Sequence, residues 1–358
     1  MNSYPAACSG VVDFKNDMYY KNTKIIKDPK VLPKYFSRLG IFLTYKCNLK
    51  CCHCSQKGEE DRGAVMDYNL LMSVLINASR LGCRYISLSG GEPFLVYDLL
   101  EIASKTCDQR SMYCAVVTNG WWAKNKSVCV DKLSALYGVS SISISWDPWH
   151  AEYVPVDRIR TLITIAKKLK KNVDVSGCYT KEINKEESIN WMIDSLGRDV
   201  CEGIEVHAQP VVNRGAAIEN ILPEVLPKYE LWSGGCRAAS NPVVLPDGVV
   251  FACCGASQDI KGISFLKLGN LTDETLFDIH KRADNNYALH ILRYFGPEIL
   301  LTNGYENILT ALYNKDVFRN CNICSTICSD NLLIQHMKTI VSNQWLIQKI
   351  DSLRANEF

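Results

Sequence analysis

The stretch Leu39-Gly40-Ile41-Phe42-Leu43-Thr44-Tyr45-Lys46-Cys47-Asn48-Leu49-Lys50-Cys51-Cys52-His53-Cys54 decides how the chain is read. Its first part is a short apolar run of strand length. Its second part is a loop of cysteines spaced Cys-x3-Cys-x2-Cys, directly behind that strand. A structural zinc site closes a tetrahedron with four protein ligands. Here only three thiols are regularly spaced, at the end of a strand where barrel-type folds place their chemistry. A zinc site completed by Cys52 or His53 stays open as the alternative, and Cys52 otherwise reads as a bystander.

Outward from that loop, short apolar runs alternate with amphipathic stretches. The runs are Leu39–Thr44, Tyr85–Ser89, Cys114–Thr118, Ser141–Ser145, Val173–Cys178 and Ile204–Gln209, and each reads as a buried strand. Between them Tyr68–Leu81, Tyr97–Thr106, Val128–Tyr137, Val156–Leu169 and Glu187–Leu196 carry apolar residues at helical spacing. Six strand–helix units predict parallel strands with crossover helices, fewer than the eight of a closed barrel. The expected fold class is therefore α/β: a partial (β/α)6 TIM-like barrel with a small cysteine-rich C-terminal α+β domain. The expected boundaries are an N-terminal extension over 1–37, the barrel over 38–212, the cysteine-rich domain over 213–330 and a C-terminal helix over 331–358. A composition break with Gly215, Pro223 and Pro227 places the middle boundary. Beyond it, Val243-Val244-Leu245, Pro246-Asp247-Gly248 and Val249-Val250-Phe251 read as a hairpin. Helical patterns follow at Thr272–Ala283, Asn286–Tyr294 and, in one long run, Asn331–Leu353.

The totals exclude several classes. Charges nearly balance, at +2 over 358 residues, so no basic excess points to nucleic acid. The lysines at 167, 168, 170 and 171 read as a solvated helix face. No basic n-region with an apolar stretch opens the chain, and no apolar run is long enough to span a membrane. A cytoplasmic protein is expected. Seventeen cysteines in clustered spacings then point to metal or cluster ligation rather than to disulfides. Isolated cysteines such as Cys83, Cys107 and Cys129 read as small core residues.

The loop Cys47, Cys51, Cys54 resembles the signature of the radical S-adenosylmethionine (SAM) superfamily, in which three thiolates hold a [4Fe–4S] cluster and leave one iron open. The family often has an aromatic residue before the last cysteine, where this chain has His53. The resemblance implies that the open iron binds the amino and carboxylate groups of SAM, and that one electron then cleaves it to a 5′-deoxyadenosyl radical. The segment Gly90-Gly91-Glu92-Pro93 resembles the family's Gly-Gly-Glu-Pro segment, implying backbone and carboxylate contacts to the SAM ammonium. Thr118-Asn119 and Ser143-Ile144-Ser145, at the next two strand ends, resemble family segments near the methionine carboxylate and ribose. Cys236 and Cys253, bracketing the Pro-Asp-Gly turn, with Cys321 and Cys324, resemble the cysteine-rich extensions called SPASM and twitch domains. The full SPASM series is not present after Cys324, where only Cys328 follows, so the twitch pattern with one auxiliary [4Fe–4S] cluster fits better. Cys254 and Cys328 are candidates for a substituted ligand, and a four-cysteine zinc site is the alternative.

Asp147 and His150 follow the fourth strand and are the candidate proton acceptors, in a loop that Trp146 and Trp149 can also pack. Trp121 and Trp122 read as packing. Glu205 and His207 share one face of the sixth strand, and Cys178 ends the fifth. The leading functional expectation is modification of a ribosomally made peptide or a protein side chain. The alternative is a small-molecule dehydrogenase or rearrangement enzyme in natural-product or cofactor biosynthesis. Either needs a flavodoxin- or ferredoxin-type electron donor. Since residues 1–37 are short for a leader-binding domain, a separate leader-peptide-binding partner is a further expectation.

Overall fold

The computed structural model describes residues 34–56, 63–227, 235–255, 264–302, 304–313 and 320–357. Most of the expected N-terminal extension lies outside these. Six strands follow the predicted order: β1 (Arg38–Thr44), β2 (Tyr85–Gly90), β3 (Tyr113–Thr118), β4 (Val139–Ser145), β5 (Asn172–Tyr179) and β6 (Glu205–Pro210). All five neighbouring pairs among them are parallel. They form an open, partial barrel wrapped by helices Tyr68–Arg80, Tyr97–Gln109, Lys126–Ala135, Val156–Lys168 and Lys185–Leu196. Local chemistry sets the boundaries. The Asp67 carboxylate accepts from the Asn69 and Leu70 amides to start the first helix, and an Asn184–Glu187 capping box starts the last.

The strands are less uniformly apolar than their runs suggested. In β4 and β5, Ile142, Ile144, Val173 and Val175 are buried, while Ser143, Ser145, Asp174 and Ser176 are only half-buried. One face packs on helix residues such as Ile159, Leu162, Ile163 and Ala166, each fully buried. Each of the isoleucine and leucine side chains contributes about 2 kcal/mol. The other face, small and hydroxylated, leaves the barrel interior open at the strand tops.

The hairpin β7 (Val243–Val244) and β8 (Val249–Phe251) forms as the Pro-Asp-Gly turn predicts, and it is antiparallel. It does not stand apart. β7 pairs in parallel with β1, Gly40 opposite Val243 and Ile41 opposite Val244, and β9 (Lys267–Asn270) completes a nine-stranded sheet in the order β6-β5-β4-β3-β2-β1-β7-β8-β9. Gly40 leaves room for this pairing, since a Cβ would sit 2.8 Å from Val243 Cγ1. The single long helix expected at the C-terminus is two, Asn331–Val341 and Gln344–Arg354. Asn343 divides them because its side chain caps the second by accepting from the Leu346 amide. No described helix is long and apolar enough to cross a membrane.

Candidate active site at the strand tops

The ends of β1 to β6 open on one cavity of about 660 Å³. Cys47, Cys51 and Cys54 line it, together with Gly90, Gly91, Thr118, Asn119, Ser145, Asp147 and His150. The cysteine loop is fastened at its start by glycines. The Gly91 amide donates to the Thr44 carbonyl at 2.7 Å and the Glu92 amide to the Lys46 carbonyl at 2.8 Å. A Cβ at Gly90 would lie 2.2 Å from the Thr44 oxygen, and one at Gly91 2.1 Å from the Lys46 oxygen. Gly90 also has φ +129°, open to glycine and strained for other residues.

Glu92 lies outside the cavity lining. It is 1% exposed, and its carboxylate is used by the protein itself. It accepts from the Phe94 amide at 3.0 Å, the Thr118 hydroxyl at 2.8 Å and the Asn119 amide at 2.7 Å. It thus bolts the end of β2 to the end of β3. Burial pushes its carboxyl up to about 7 against the pull of those hydrogen bonds. Pro93 begins a 3-10 turn behind it and is buried with Phe94. Asn119, held through its backbone by Glu92, points its amide at Asn48 Oδ1 (3.2 Å) and at Cys47 Sγ (3.8 Å). Ser145 reaches the cavity, whereas Ser143, one pleat lower, donates to Asp174 at 2.6 Å and does not line it. Trp122 packs as expected, stacked on Phe94 with ring centroids 3.9 Å apart.

Asp147 is the hub of the opposite wall. It is fully buried and caps the short helix Pro148–Ala151, accepting the His150 amide at 3.0 Å. Its oxygens also meet His150 Nδ1 at 2.8 Å and His53 Nε2 at 3.3 Å, and accept the Cys178 amide at 3.2 Å. Burial raises this carboxyl, but the two imidazoles, His150 first, hold it well below the usual carboxylate range. The ligating atoms of these three residues lie within 4.8 Å of one another. Asp147 is the shared partner of the two rings, at 2.8 Å from His150 Nδ1 and 3.3 Å from His53 Nε2. With Nδ1 on Asp147, the outer nitrogen of His150 is left for the cavity. His53 packs against Trp149, ring centroids 4.6 Å apart and planes tilted by 31°, so the residue before Cys54 is packed as an aromatic ring. Of the two β6 residues singled out, Glu205 is exposed and His207 half-buried. Neither lines the cavity, which takes Gln209 and Pro210 from that strand.

The outer wall escaped the sequence reading. Val211, Val212, Ala216, Glu219 and Asn220 close the cavity beyond β6. Their segment looked like a domain linker. The only signal for a packed role was Gly215, whose φ is +59°.

The later cysteines also converge. A Cβ at Gly255 would lie 3.3 Å from Cys321 Sγ and 3.5 Å from Cys253 Sγ. Burial raises the Cys236 thiol to about 12, with Cys253 and Cys321 adding to it. Burial likewise raises Cys324, with further contributions from Cys236, Cys321, Cys253 and Cys328. Cys321, Cys324 and Cys328 lie on the helix Asn320–Cys328, not in a loop knuckle, and their spacing puts them on one helix face. The Cys328 sulfur is 3.2 Å from the Ser264 hydroxyl, and Cys254 is exposed.

The three thiols of the first site fit a cluster with an open iron. They share one cavity, and burial raises Cys47 and Cys51 with further contributions from neighbouring thiols of the same loop. Cluster ligation, which takes thiolates, relieves that mutual repulsion.

Comparison with known proteins agrees with this geometry. Residues 41–180 match the model of the radical SAM superfamily. The PqqA peptide cyclase of Methylobacterium nodulans is 37% identical over 298 residues, covering 70% of this chain and 74% of that protein. The peptide biosynthesis protein YydG of Bacillus subtilis is 23% identical over 279 residues, covering 76% of this chain and 85% of that protein. The crystal structure of Streptococcus suis SuiB bound to its precursor peptide SuiA superposes with a TM-score of 0.52 at 17% identity, over 82% of this chain and 76% of SuiB, a likeness of fold. The chain belongs to the radical SAM superfamily of enzymes, which act through S-adenosylmethionine and a [4Fe–4S] cluster.

Proposed function

We propose that this enzyme modifies a ribosomally made peptide, with the cluster on Cys47, Cys51 and Cys54 and a second, auxiliary cluster in a SPASM- or twitch-like region over 213–330. The observation that carries the reading is the pair of cysteine sets, one on the rim of the cavity and one beyond β7. The names of the PqqA cyclase and SuiB support a peptide substrate. When bound, S-adenosylmethionine and the cluster supply one-electron hydrogen abstraction.

This chain's residues do the rest. Gly90, Gly91 and Asn119 offer backbone and amide groups to S-adenosylmethionine, and Ser145 faces the same space. Thr118, Glu92 and Pro93 fix those groups from behind, and Ser143 acts one layer below. His150 accepts a proton at its outer nitrogen, and Asp147 orients it. Cys236, Cys253, Cys321 and Cys324 are the proposed auxiliary ligands, with Cys328 and Cys254 adjoining. Four thiolates would hold a cluster able to accept the electron left on substrate, which zinc cannot. A flavodoxin- or ferredoxin-type donor and a separate leader-binding protein complete the proposed system. A reducing cytoplasm is the proposed compartment, and among the described residues no disulfide is formed.

The test is metal content after anaerobic reconstitution, with wild type compared with a Cys47/Cys51/Cys54 triple alanine variant. The proposal expects about eight irons per chain, falling to about four, and no zinc. About four irons with one zinc would reject the auxiliary cluster. No iron in either protein would reject the whole reading. A short precursor-peptide gene beside this one would favour the peptide over a sugar or cofactor substrate.

A further inference from the structure

The segment that follows β6 touches both cysteine sites. The Ala216 amide donates to the Cys54 carbonyl at 2.9 Å. Gly215, buried, lies flat on the same turn: a Cβ there would be 2.6 Å from the Cys54 oxygen, 2.6 Å from the Ser55 carbonyl carbon and 2.8 Å from that of Gln56. Its φ of +59° is a second reason for glycine. The preceding residue reaches the other way, with Arg214 Nη1 donating to the Cys254 carbonyl at 3.1 Å. Cys254 follows the proposed ligand Cys253. Three consecutive residues thus join the exit of the first cysteine loop to the hairpin of the second.

The cysteine loop is gripped at two points. Gly91 and Glu92 hold its start at Thr44 and Lys46, and these contacts come from the two residues that follow β2, within the barrel. The grip on its end, at Cys54 to Gln56, comes from Gly215 and Ala216. Arg214 ties that grip to the hairpin whose first strand pairs with β1.

We propose that Arg214 and Gly215 are positioning residues for the Cys47–Cys54 loop, forming a strap through which the C-terminal cysteine hairpin sets the place of Cys54. The strap touches no reacting atom and acts through the loop backbone. Arg214 supplies a planar, permanently charged donor to a main-chain oxygen, and Gly215 supplies close approach. Shortening one or crowding the other displaces the third ligand while the first two stay on the barrel side. The inference rests on Cys47, Cys51 and Cys54 being the ligands of one cluster.

The test uses full-length, anaerobically reconstituted protein: wild type, Arg214→Ala, Arg214→Lys, Gly215→Ala and the Cys47/Cys51/Cys54 triple alanine variant. Iron release to an excess chelator is followed, and the phase absent from the triple variant is assigned to the first cluster. The expected result is about tenfold faster release of that phase in Gly215→Ala, from strain and contact at one residue. Arg214→Ala releases it several-fold faster, and Arg214→Lys restores much of the wild-type rate. The electron paramagnetic resonance signal of the reduced first cluster shifts or broadens in the two disruptive variants, and in Arg214→Ala it does so while the melting temperature stays close to wild type. If Gly215→Ala does not fold, Arg214→Ala and its lysine rescue decide alone. Wild-type release and an unchanged signal in Arg214→Ala overturn the strap and leave the ligands standing. Release in the triple variant identical to wild type overturns the ligand reading and the strap with it.

Discussion

The two cysteine sets are built by opposite means. The first comes from one loop, Cys47 to Cys54, hung from a single strand end and opening on the 660 Å³ cavity, with Cys47 exposed. The second is gathered from separated segments: Cys236 before the hairpin, Cys253 at its end, and Cys321 and Cys324 on a helix near the end of the chain. There Cys253, Cys324 and Cys328 are each less than 10% exposed. A local three-thiol loop has a coordination position to offer and depends on neighbours for its shape. A buried set drawn from distant segments offers nothing to a substrate molecule but ties the chain together. The proposed division of labour follows: the first starts the chemistry, and the second handles charge and holds the fold.

The contrast can be broken most severely at Cys324. If its set is an auxiliary cluster, Cys324→Ala removes about four irons. It also abolishes product formation while S-adenosylmethionine cleavage continues, measured by liquid chromatography of 5′-deoxyadenosine and peptide product. Loss of cleavage in parallel would show that the two sites are not separable. On the cavity side, His150→Gln is expected to lower product formation about 10²–10⁴-fold with cleavage retained, as for removal of a general base. Equal loss of both would assign His150 to cofactor binding instead. Asp147→Asn disturbs more, because a carboxamide cannot accept from both imidazoles and both amides at once. It is expected to lower stability by about 1–3 kcal/mol in addition to activity, read by chemical denaturation.

Buried carboxylates sharpen the same comparison. Asp147 and Glu92, beside the cavity, are fully hydrogen-bonded. Glu298, in the C-terminal half, is 3% exposed and neither oxygen has a hydrogen-bond partner among the described residues. Burial pushes its carboxyl up to about 7. A raised folded-state value means stability is fully present below the ordinary carboxylate range, near pH 4.5, and declines as pH rises toward 7. Glu298→Gln should therefore flatten the melting temperature between pH 5 and 8, gaining at most about 3 kcal/mol at the upper end. An unchanged pH slope would show that the carboxylate is solvated or paired in solution.

The strand order and the cavity's cysteine rim were legible in the sequence because alternation of β-branched runs with amphipathic stretches has few solutions, and because Cys47, Cys51 and Cys54 are close in the chain. The Pro-Asp-Gly hairpin was legible as a unit. Its place against β1 was not, since the one hint, Gly40 in an otherwise bulky strand, reads as a weak propensity until Val243 is seen beside it. The outer wall at Val211–Asn220 was hidden for a similar reason. Glycine and polar residues there suggest a linker, and only the positive φ of Gly215 and its approach to Cys54 reveal packing. Glu92 drew attention as a ligand contact, yet its three hydrogen bonds depend on how close the tops of β2 and β3 come, which no local pattern encodes. Asn343 was a readable cap inside the last helical run, overridden by the continuity of apolar spacing on either side.

The pairing of β1 with β7 has a consequence for how the chain is made. About two hundred residues separate Gly40 from its partner Val243, so a growing chain presents β1, and the cysteine loop attached to it, long before that edge can be covered. Closing so long a loop is slow, and an uncovered strand edge is a template for the wrong neighbour. The loop proposed to receive the cluster is thus synthesised well before the strand that covers this edge of β1. That interval is a natural window in which iron and sulfide can be delivered to it.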